Sequence, residues 1–132
     1  MASAAEARWV TRTVLAAWGL SHLEEPACLL VSELVTNVVL HAATASELAF
    51  SLQRGTLHVS VEDHDPRPPI LRHSSPWSTG GRGIALVDAL ADDWGWQPAG
   101  RGNGKTVWFD LYTRGARAQT WRPAAWRPVP AR

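Results

Sequence analysis

Three polar residues recur at four-residue spacing within an otherwise apolar stretch: Glu33, Asn37 and His41. In a helix that turns about 100° per residue, they fall within about 80° of one another, on one side. A carboxylate can take the proton of an attacking hydroxyl, and an amide oxygen is among the hard ligands that Mg²⁺ prefers. The stripe is therefore either a polar floor for phosphoryl transfer or the solvated side of an amphipathic helix.

A second candidate is Asp63, which ends a stretch in which Leu57, Val59 and Val61 alternate with polar residues. By this alternation the Asp63 side chain shares the apolar face and is predicted to be buried. A buried carboxylate needs hydrogen-bond donors, because leaving it unpaired is costly. The donor is either an exocyclic amine such as that of adenine or a backbone N–H of the following turn, and the sequence leaves both open.

Glycines surround Arg82 immediately before an apolar helical stretch that starts with Ile84: Gly80 and Gly81 precede it and Gly83 follows it. Free N–H groups at a helix start bind anions, and glycines let a ligand approach the backbone closely. The alternative interpretation is a flexible hinge.

A further polar residue, Thr106, opens the final alternating strand. Its hydroxyl either supports a ligand or pairs across the sheet.

The elements that must position these residues follow from hydrophobic periodicity and turn signals. Gly19 marks the end of the first helix, and Arg54-Gly55 marks a hairpin turn. Residues 64–80 contain four prolines and no periodicity, which is typical of a lid or binding loop. Strands in antiparallel runs with helices segregated to one face predict an α+β two-layer sandwich with a mixed, mostly antiparallel sheet. The predicted elements are helices at 3–18, 22–42 and 82–92 and strands at 46–53, 56–62, 94–97 and 106–112.

Length and charge indicate one domain at residues 1–112 and a basic Arg/Pro/Trp tail at 113–132, which we expect to be disordered. The domain carries eight Lys or Arg against twelve Asp or Glu, a formal charge of −4, whereas the tail carries five Arg and no acid, +5. Nucleic-acid binding through the tail is one option, although we expect no direct nucleic-acid contact because no folded module supports it.

The single cysteine, Cys28, excludes an intramolecular disulfide framework. The sequence shows neither the pattern of a signal peptide nor an apolar run long enough to cross a membrane. We therefore expect a cytoplasmic protein with no membrane partner.

The order and spacing of these motifs resemble the gyrase/heat-shock chaperone/histidine-kinase/MutL ATPase superfamily over nearly all of residues 8–112. LVSELVTNVVLHA is similar to its N box, V-x-D at 61–63 to its first glycine box, GGRGIALV to its second, and GKTVWFDL to its last strand motif. Within that superfamily, these motifs are most similar to those of bacterial anti-sigma-factor serine/threonine kinases. The resemblance implies the Bergerat-type ATP-binding fold, with ATP and Mg²⁺ as cofactors.

Roles for individual residues also follow from this resemblance. Glu33 would be the catalytic base or orient the attacking group, and Asn37 would hold Mg²⁺. Asp63 would bond the adenine amine, with Thr106 nearby. The remaining residues of the N box and of the second glycine box would complete the cofactor site: His41, Gly81, Arg82, Gly83 and Ile84.

The resemblance further implies protein partners. An anti-sigma-factor kinase holds a sigma factor inactive, phosphorylates an anti-sigma-factor antagonist, and pairs as a homodimer. The chain departs from the family where D-x-G-x-G is replaced by Asp63-His64-Asp65-Pro66-Arg67. This departure keeps a second hypothesis open, a non-catalytic sequestering module that is gated by nucleotide or independent of it.

Overall fold

The computed structural model describes residues 4–41, 47–65, 83–99, 104–113 and 119–121, which form helices packed on a single sheet. The sheet order is β3-β4-β2-β1-β5, and each neighbouring pair is antiparallel. The predicted α+β fold is confirmed. In chain order the elements are α1 (Ala4–Ala17), a 3₁₀ turn (Ser21–Leu23), α2 (Glu24–His41), β1 (Glu47–Gln53), β2 (Thr56–Asp63), α3 (Gly83–Leu90), β3 (Asp93–Pro98), β4 (Lys105–Tyr112) and β5 (Gln119–Trp121).

The end of α1 is set by Gly19, as the sequence predicts. Its φ of +73° is a left-handed conformation that glycine adopts without steric cost. The next N–H, of Leu20, donates to the Leu15 carbonyl at 2.8 Å, which closes the helix in the manner of a Schellman motif. Leu15 and Leu20 are both fully buried, so the same turn directs the chain back towards α2.

The β1–β2 hairpin turns at Arg54 and Gly55, whose φ angles are 52° and 72°. Two positive φ angles in a two-residue loop match the right-handed twist of the flanking strands. The Gly55 carbonyl also accepts the Thr113 N–H at 2.7 Å, which ties this turn to the end of β4. The predicted hairpin is confirmed, and its register is therefore fixed from the loop.

One face of the sheet forms the core. Alternate residues of β2 and β4 lie on this face and are buried, and the apolar sides of α1 and α2 pack against them. We call it the core face, and the opposite face the outer face. The core-face residues of the three longest strands are Leu48, Phe50, Leu52, Leu57, Val59, Val61, Val107, Phe109 and Leu111.

Strand β5 corrects the expectation that the tail is disordered from residue 113 onwards. Gln119–Trp121 pairs with β1, and Trp121 meets Phe50 edge-on, with ring centroids 5.6 Å apart and an interplanar angle of 69°. Trp121 is partly buried against the core. The core thus takes one aromatic side chain from the region assigned to the tail, while residues 122–132 lie outside the described residues.

Among the described residues, no helix is long and apolar enough to cross a membrane.

Candidate functional site

The predicted stripe lies on α2, which runs unbroken through Glu33, Asn37 and His41. Glu33 is half-buried. Asn37 and His41 follow one and two turns later on the helix, and their side chains lie outside the described residues. The helical spacing on which the stripe depends is present, and the roles of its residues stay predictions.

Glu33 lies on the rim of a groove between α1 and α2 with a volume of about 610 Å³. Arg8 and Arg12 project into this groove from α1, and the Arg8 guanidinium donates to the Ser32 hydroxyl at 3.2 Å. A carboxylate thus shares an open groove with two guanidinium groups. The other residues of the α1–α2 groove come from α2: Glu24, Glu25, Cys28, Leu29, Ser32 and Thr36.

The Cys28 thiol at the side of this groove is not poised for nucleophilic chemistry. Burial is the main cause that raises its pKa, and Glu24 adds to the rise, while Arg12 and Arg8 oppose it. A raised pKa keeps the thiol protonated, and the thiolate is the reactive form. The groove therefore presents charged side chains to a partner, and Cys28 does not act in it as a nucleophile.

Asp63 is buried at the end of β2, with 2% of its surface exposed, as the alternation predicts. One of its oxygens, Oδ1, accepts the Asp65 backbone N–H at 2.8 Å. Lys105 Nζ lies 3.0 Å from Oδ2 and 3.3 Å from Oδ1, and it also donates to the Asp65 carbonyl at 3.1 Å. Of the two donors that the sequence left open, the turn N–H is present, and a lysine joins it.

Lys105 is the residue of this site that sequence reasoning missed. It is buried and lies opposite Asp63 in the β2–β4 register. The signal was present in the sequence, because Val107, Phe109 and Leu111 occupy the core face and alternation extends that face back to position 105 rather than 106.

Thr106 pairs with Glu62 on β2 and with Gln97 on β3, one position away from the Asp63–Lys105 pair. Successive side chains of a strand point to opposite faces, so Thr106 lies on the outer face. Its hydroxyl oxygen is buried and has no hydrogen-bond partner within the described part of the chain. The structure therefore brings Lys105, and not the Thr106 side chain, next to Asp63.

A close backbone approach fixes this corner of the sheet. A Cβ placed on Gly104 would lie only 2.2 Å from the Asp63 carbonyl oxygen, so glycine is required there. The Gly104 carbonyl also accepts the Ala99 N–H at 2.9 Å. Asp63 and Lys105 are consequently held in place by the chain that leads into β4 as well as by their own contact.

The glycine turn is described only where it enters the helix. Helix α3 begins at Gly83, close to the predicted start, and packs against α2. Gly81 and Arg82 lie outside the described residues, as does the side chain of Ile84. The predicted phosphate contacts thus remain predictions, while the helix that would make them packs against α2.

The Asp63 carboxylate fits an adenine amine. Oδ1 accepts the Asp65 N–H and a hydrogen bond from Lys105, whereas Oδ2 lies 3.0 Å from the Lys105 ammonium as its ion-pair partner. Among the described residues no other donor meets Oδ2, and a carboxylate oxygen can accept a further neutral N–H. For a divalent cation, no group of three His, Cys, Asp or Glu side chains comes together in the described part of the chain.

Comparison with known proteins identifies the domain family. No curated protein matches the chain significantly. The sequence model of the histidine kinase-like ATPase domain matches residues 1–111, which include α1 to α3 and most of the sheet. The protein therefore belongs to the family of histidine kinase-like ATPase domains.

Proposed function

We propose that this protein binds ATP with Mg²⁺ and acts as an anti-sigma-factor serine/threonine kinase. The observation that carries the nucleotide part is the buried Asp63 carboxylate, whose Oδ2 meets no donor other than Lys105 among the described residues, in a chain of the ATPase-domain family. The kinase part rests on Glu33, which lies on an open groove where the hydroxyl of a protein substrate can reach it.

The two ends of the nucleotide would meet different elements. Asp63 on β2 would accept the exocyclic amine of the base, and the N–H groups at the start of α3 would meet the phosphates. Asn37 would offer its amide oxygen to the metal, one turn along α2 from Glu33. When bound, ATP supplies the transferable phosphoryl group and Mg²⁺ offsets its charge.

Glu33 would act on the hydroxyl of the substrate. As the substrate oxygen forms its bond to the γ-phosphorus and the bond to ADP breaks, the hydroxyl proton passes to the Glu33 carboxylate. The half-buried position of Glu33 suits this task, because the carboxylate is fixed by the helix and still open to a protein that enters the α1–α2 groove.

The partners of this proposal are a sigma factor, an anti-sigma-factor antagonist that is phosphorylated, and a second copy of the chain. Such partners would place the protein in the cytoplasm. Helix α1 offers apolar surface for pairing at Trp9, which is 64% exposed, whereas Trp18 packs against the core.

A second candidate function is a sequestering module without kinase chemistry. The observation that favours it is the Lys105 contact, because Asp63 is already satisfied by internal partners and needs no nucleotide to be stable in the fold. The two functions differ in whether phosphate is transferred, and a sequestering module that is independent of nucleotide would also not bind ATP.

Calorimetric titration tests the nucleotide part. The full chain is titrated with ATP and with ADP, each with and without Mg²⁺. Binding that strengthens when Mg²⁺ is added is the expected result. A chain that remains folded and binds neither nucleotide at millimolar concentration would leave only the sequestering module.

The Glu33→Gln variant tests catalysis. Glutamine keeps the shape and hydrogen-bonding reach of glutamate but cannot take a proton. We expect ATP-Mg²⁺ binding to be unchanged and phosphorylation of a co-purified antagonist to slow by about 10²–10⁴-fold, the usual contribution of a positioned base. Glu25→Gln is the matched control, since Glu25 lies on the same groove two turns earlier on α2. Equal rates for wild type and Glu33→Gln would contradict the catalytic role.

A further inference from the structure

We propose that Lys105 determines base specificity, because it makes Asp63 a single-acceptor site and thereby denies guanine its two-donor contact. The inference rests on the proposed nucleotide site and adds a residue to which neither the motifs nor the family assignment gives a role. It is carried by the position of Lys105 Nζ relative to the two oxygens of the Asp63 carboxylate.

Nζ lies 3.0 Å from Oδ2 and 3.3 Å from Oδ1, so it bridges the side of the carboxylate that both oxygens share. This is the side on which a partner with two parallel N–H groups binds a carboxylate. Oδ1 also accepts the Asp65 N–H at 2.8 Å, and on Oδ2 no described residue other than Lys105 places a donor. A base can therefore place only one N–H on Asp63.

Lys105 is held firmly in this bridging position. Nζ donates hydrogen bonds to Asp63 Oδ1 and to the Asp65 carbonyl, at 3.3 and 3.1 Å, and its charge also lies 3.0 Å from Oδ2. The side chains of Lys105 and Asp63 are 6% and 1% exposed, and water therefore does not compete for the contact. An arriving base would have to break a buried ion pair to reach the shared side of the carboxylate.

The bases differ in what they present to such a site. Adenine offers one exocyclic amine beside an acceptor nitrogen. Guanine offers its ring N–H and its 2-amino group side by side, and hypoxanthine offers the same ring N–H without the 2-amino group. With Lys105 in place, the 2-amino group of guanine gains nothing on Asp63. Without Lys105, both donors of guanine can bind the carboxylate together.

The test compares GTP with ITP, which differ only in the 2-amino group, by competition against ATP on the full-length chain. Wild type should bind the two within about twofold of each other. Lys105→Met should bind GTP about 10- to 100-fold more tightly than ITP, the value of one added hydrogen bond to a charged group. Because both ligands are measured on the same variant, a general loss of stability cancels in the ratio.

Lys105→Arg is the matched control, since a guanidinium also bridges the two oxygens of a carboxylate, and its ratio should stay near that of wild type. If Lys105→Met does not fold, Lys105→Gln takes its place. Glutamine is polar and lacks the ammonium group that bridges the two oxygens of Asp63. An unchanged GTP-to-ITP ratio in the neutral variant would overturn the inference. Wild type binding GTP tenfold more tightly than ITP would overturn it without any variant.

The proposed nucleotide site fails in a different way. If wild type binds no purine triphosphate, ATP included, the nucleotide function is wrong and this inference falls with it. If wild type binds ATP and the ratio does not respond to Lys105, the nucleotide function stands and only the role of Lys105 is wrong.

Discussion

Strands β2 and β4 carry two polar side-chain pairs on the same ladder, one on each face of the sheet. Asp63 lies opposite Lys105 on the core face, and His58 lies opposite Asp110 on the outer face. The side chains of Lys105 and Asp63 are 6% and 1% exposed, whereas those of His58 and Asp110 are 30% and 19% exposed. Two contacts with the same directly opposite register thus lie in very different dielectric surroundings.

The difference shows what each pair can contribute. The outer pair has a short contact of 2.6 Å between His58 Nδ1 and Asp110 Oδ1, and the His58 ring lies 5.3 Å from the Trp108 ring, but water reaches the pair and competes for the contact. The inner pair is removed from water, and the desolvation cost offsets much of its attraction. Asp63 and Lys105 lie on the same face as Val61 and Val107. We therefore expect this pair to add little net stability and to serve a role specific to the end of the strands.

The largest effect on stability is expected when one partner of the buried pair is removed. Lys105→Met leaves the Asp63 carboxylate buried without a cation, which should lower the free energy of unfolding by about 3–5 kcal/mol. Urea unfolding measures this loss. Adding Asp63→Asn to the same chain, which keeps an acceptor for the Asp65 N–H, should restore most of the stability. A loss below about 1 kcal/mol would show that the two pairs are equivalent after all.

The outer pair should respond far less. A double-mutant cycle of His58→Ala and Asp110→Ala should give a coupling free energy below about 1 kcal/mol, as for other screened pairs. Urea unfolding of wild type, the two single variants and the double variant measures this coupling. Coupling above about 2 kcal/mol would contradict the assigned difference between the two faces.

The smallest effect concerns Glu62, which lies on the outer face as His58 does but next to Asp63 along β2. Burial raises the pKa of its carboxyl, Glu47 and Asp63 add to the rise, and His64 opposes it. A raised carboxyl pKa disfavours the charged form in the fold, so the charge of Glu62 lowers stability above that pKa.

Glu62→Gln should therefore raise the melting temperature slightly at neutral pH. The gain should disappear as the pH falls through the raised pKa, because wild type is then protonated too. Glu25→Gln, which removes an exposed carboxylate of α2, is the control and should show no such pH-dependent gain. A gain that persists at low pH would mean that burial of the charge is not its cause.

Local signals were enough to predict most of the fold. The glycine at the end of α1 and the Arg54-Gly55 turn act within a few residues, and the alternation of β1, β2 and β4 is set by their own side chains. Position 63 was predicted to be buried for the same reason. Its lysine partner comes from 42 residues away and depends on strand register, which no local pattern of β2 contains.

The short strand β5 escaped prediction because three residues in a basic, proline-rich region carry no period. Its placement depends on pairing with β1, far away in the chain, and on the contact between Trp121 and Phe50. Both are tertiary effects that override the composition of the tail. Three residues of the expected tail, Gln119–Trp121, thus belong to the sheet. The predicted domain boundary at residue 112 otherwise stays a prediction.

Strand β5 also bears on how the protein behaves at high concentration. It pairs with residues 50–52 of β1, whose backbone groups would otherwise form an open strand edge beside the apolar side chains of Phe50 and Leu52. Such an edge is a template on which another chain can add, and natural sheets cover or interrupt it. Strand β5 therefore protects this edge of β1 against aggregation, and a protease that removed residues 119–121 would expose the edge to intermolecular pairing.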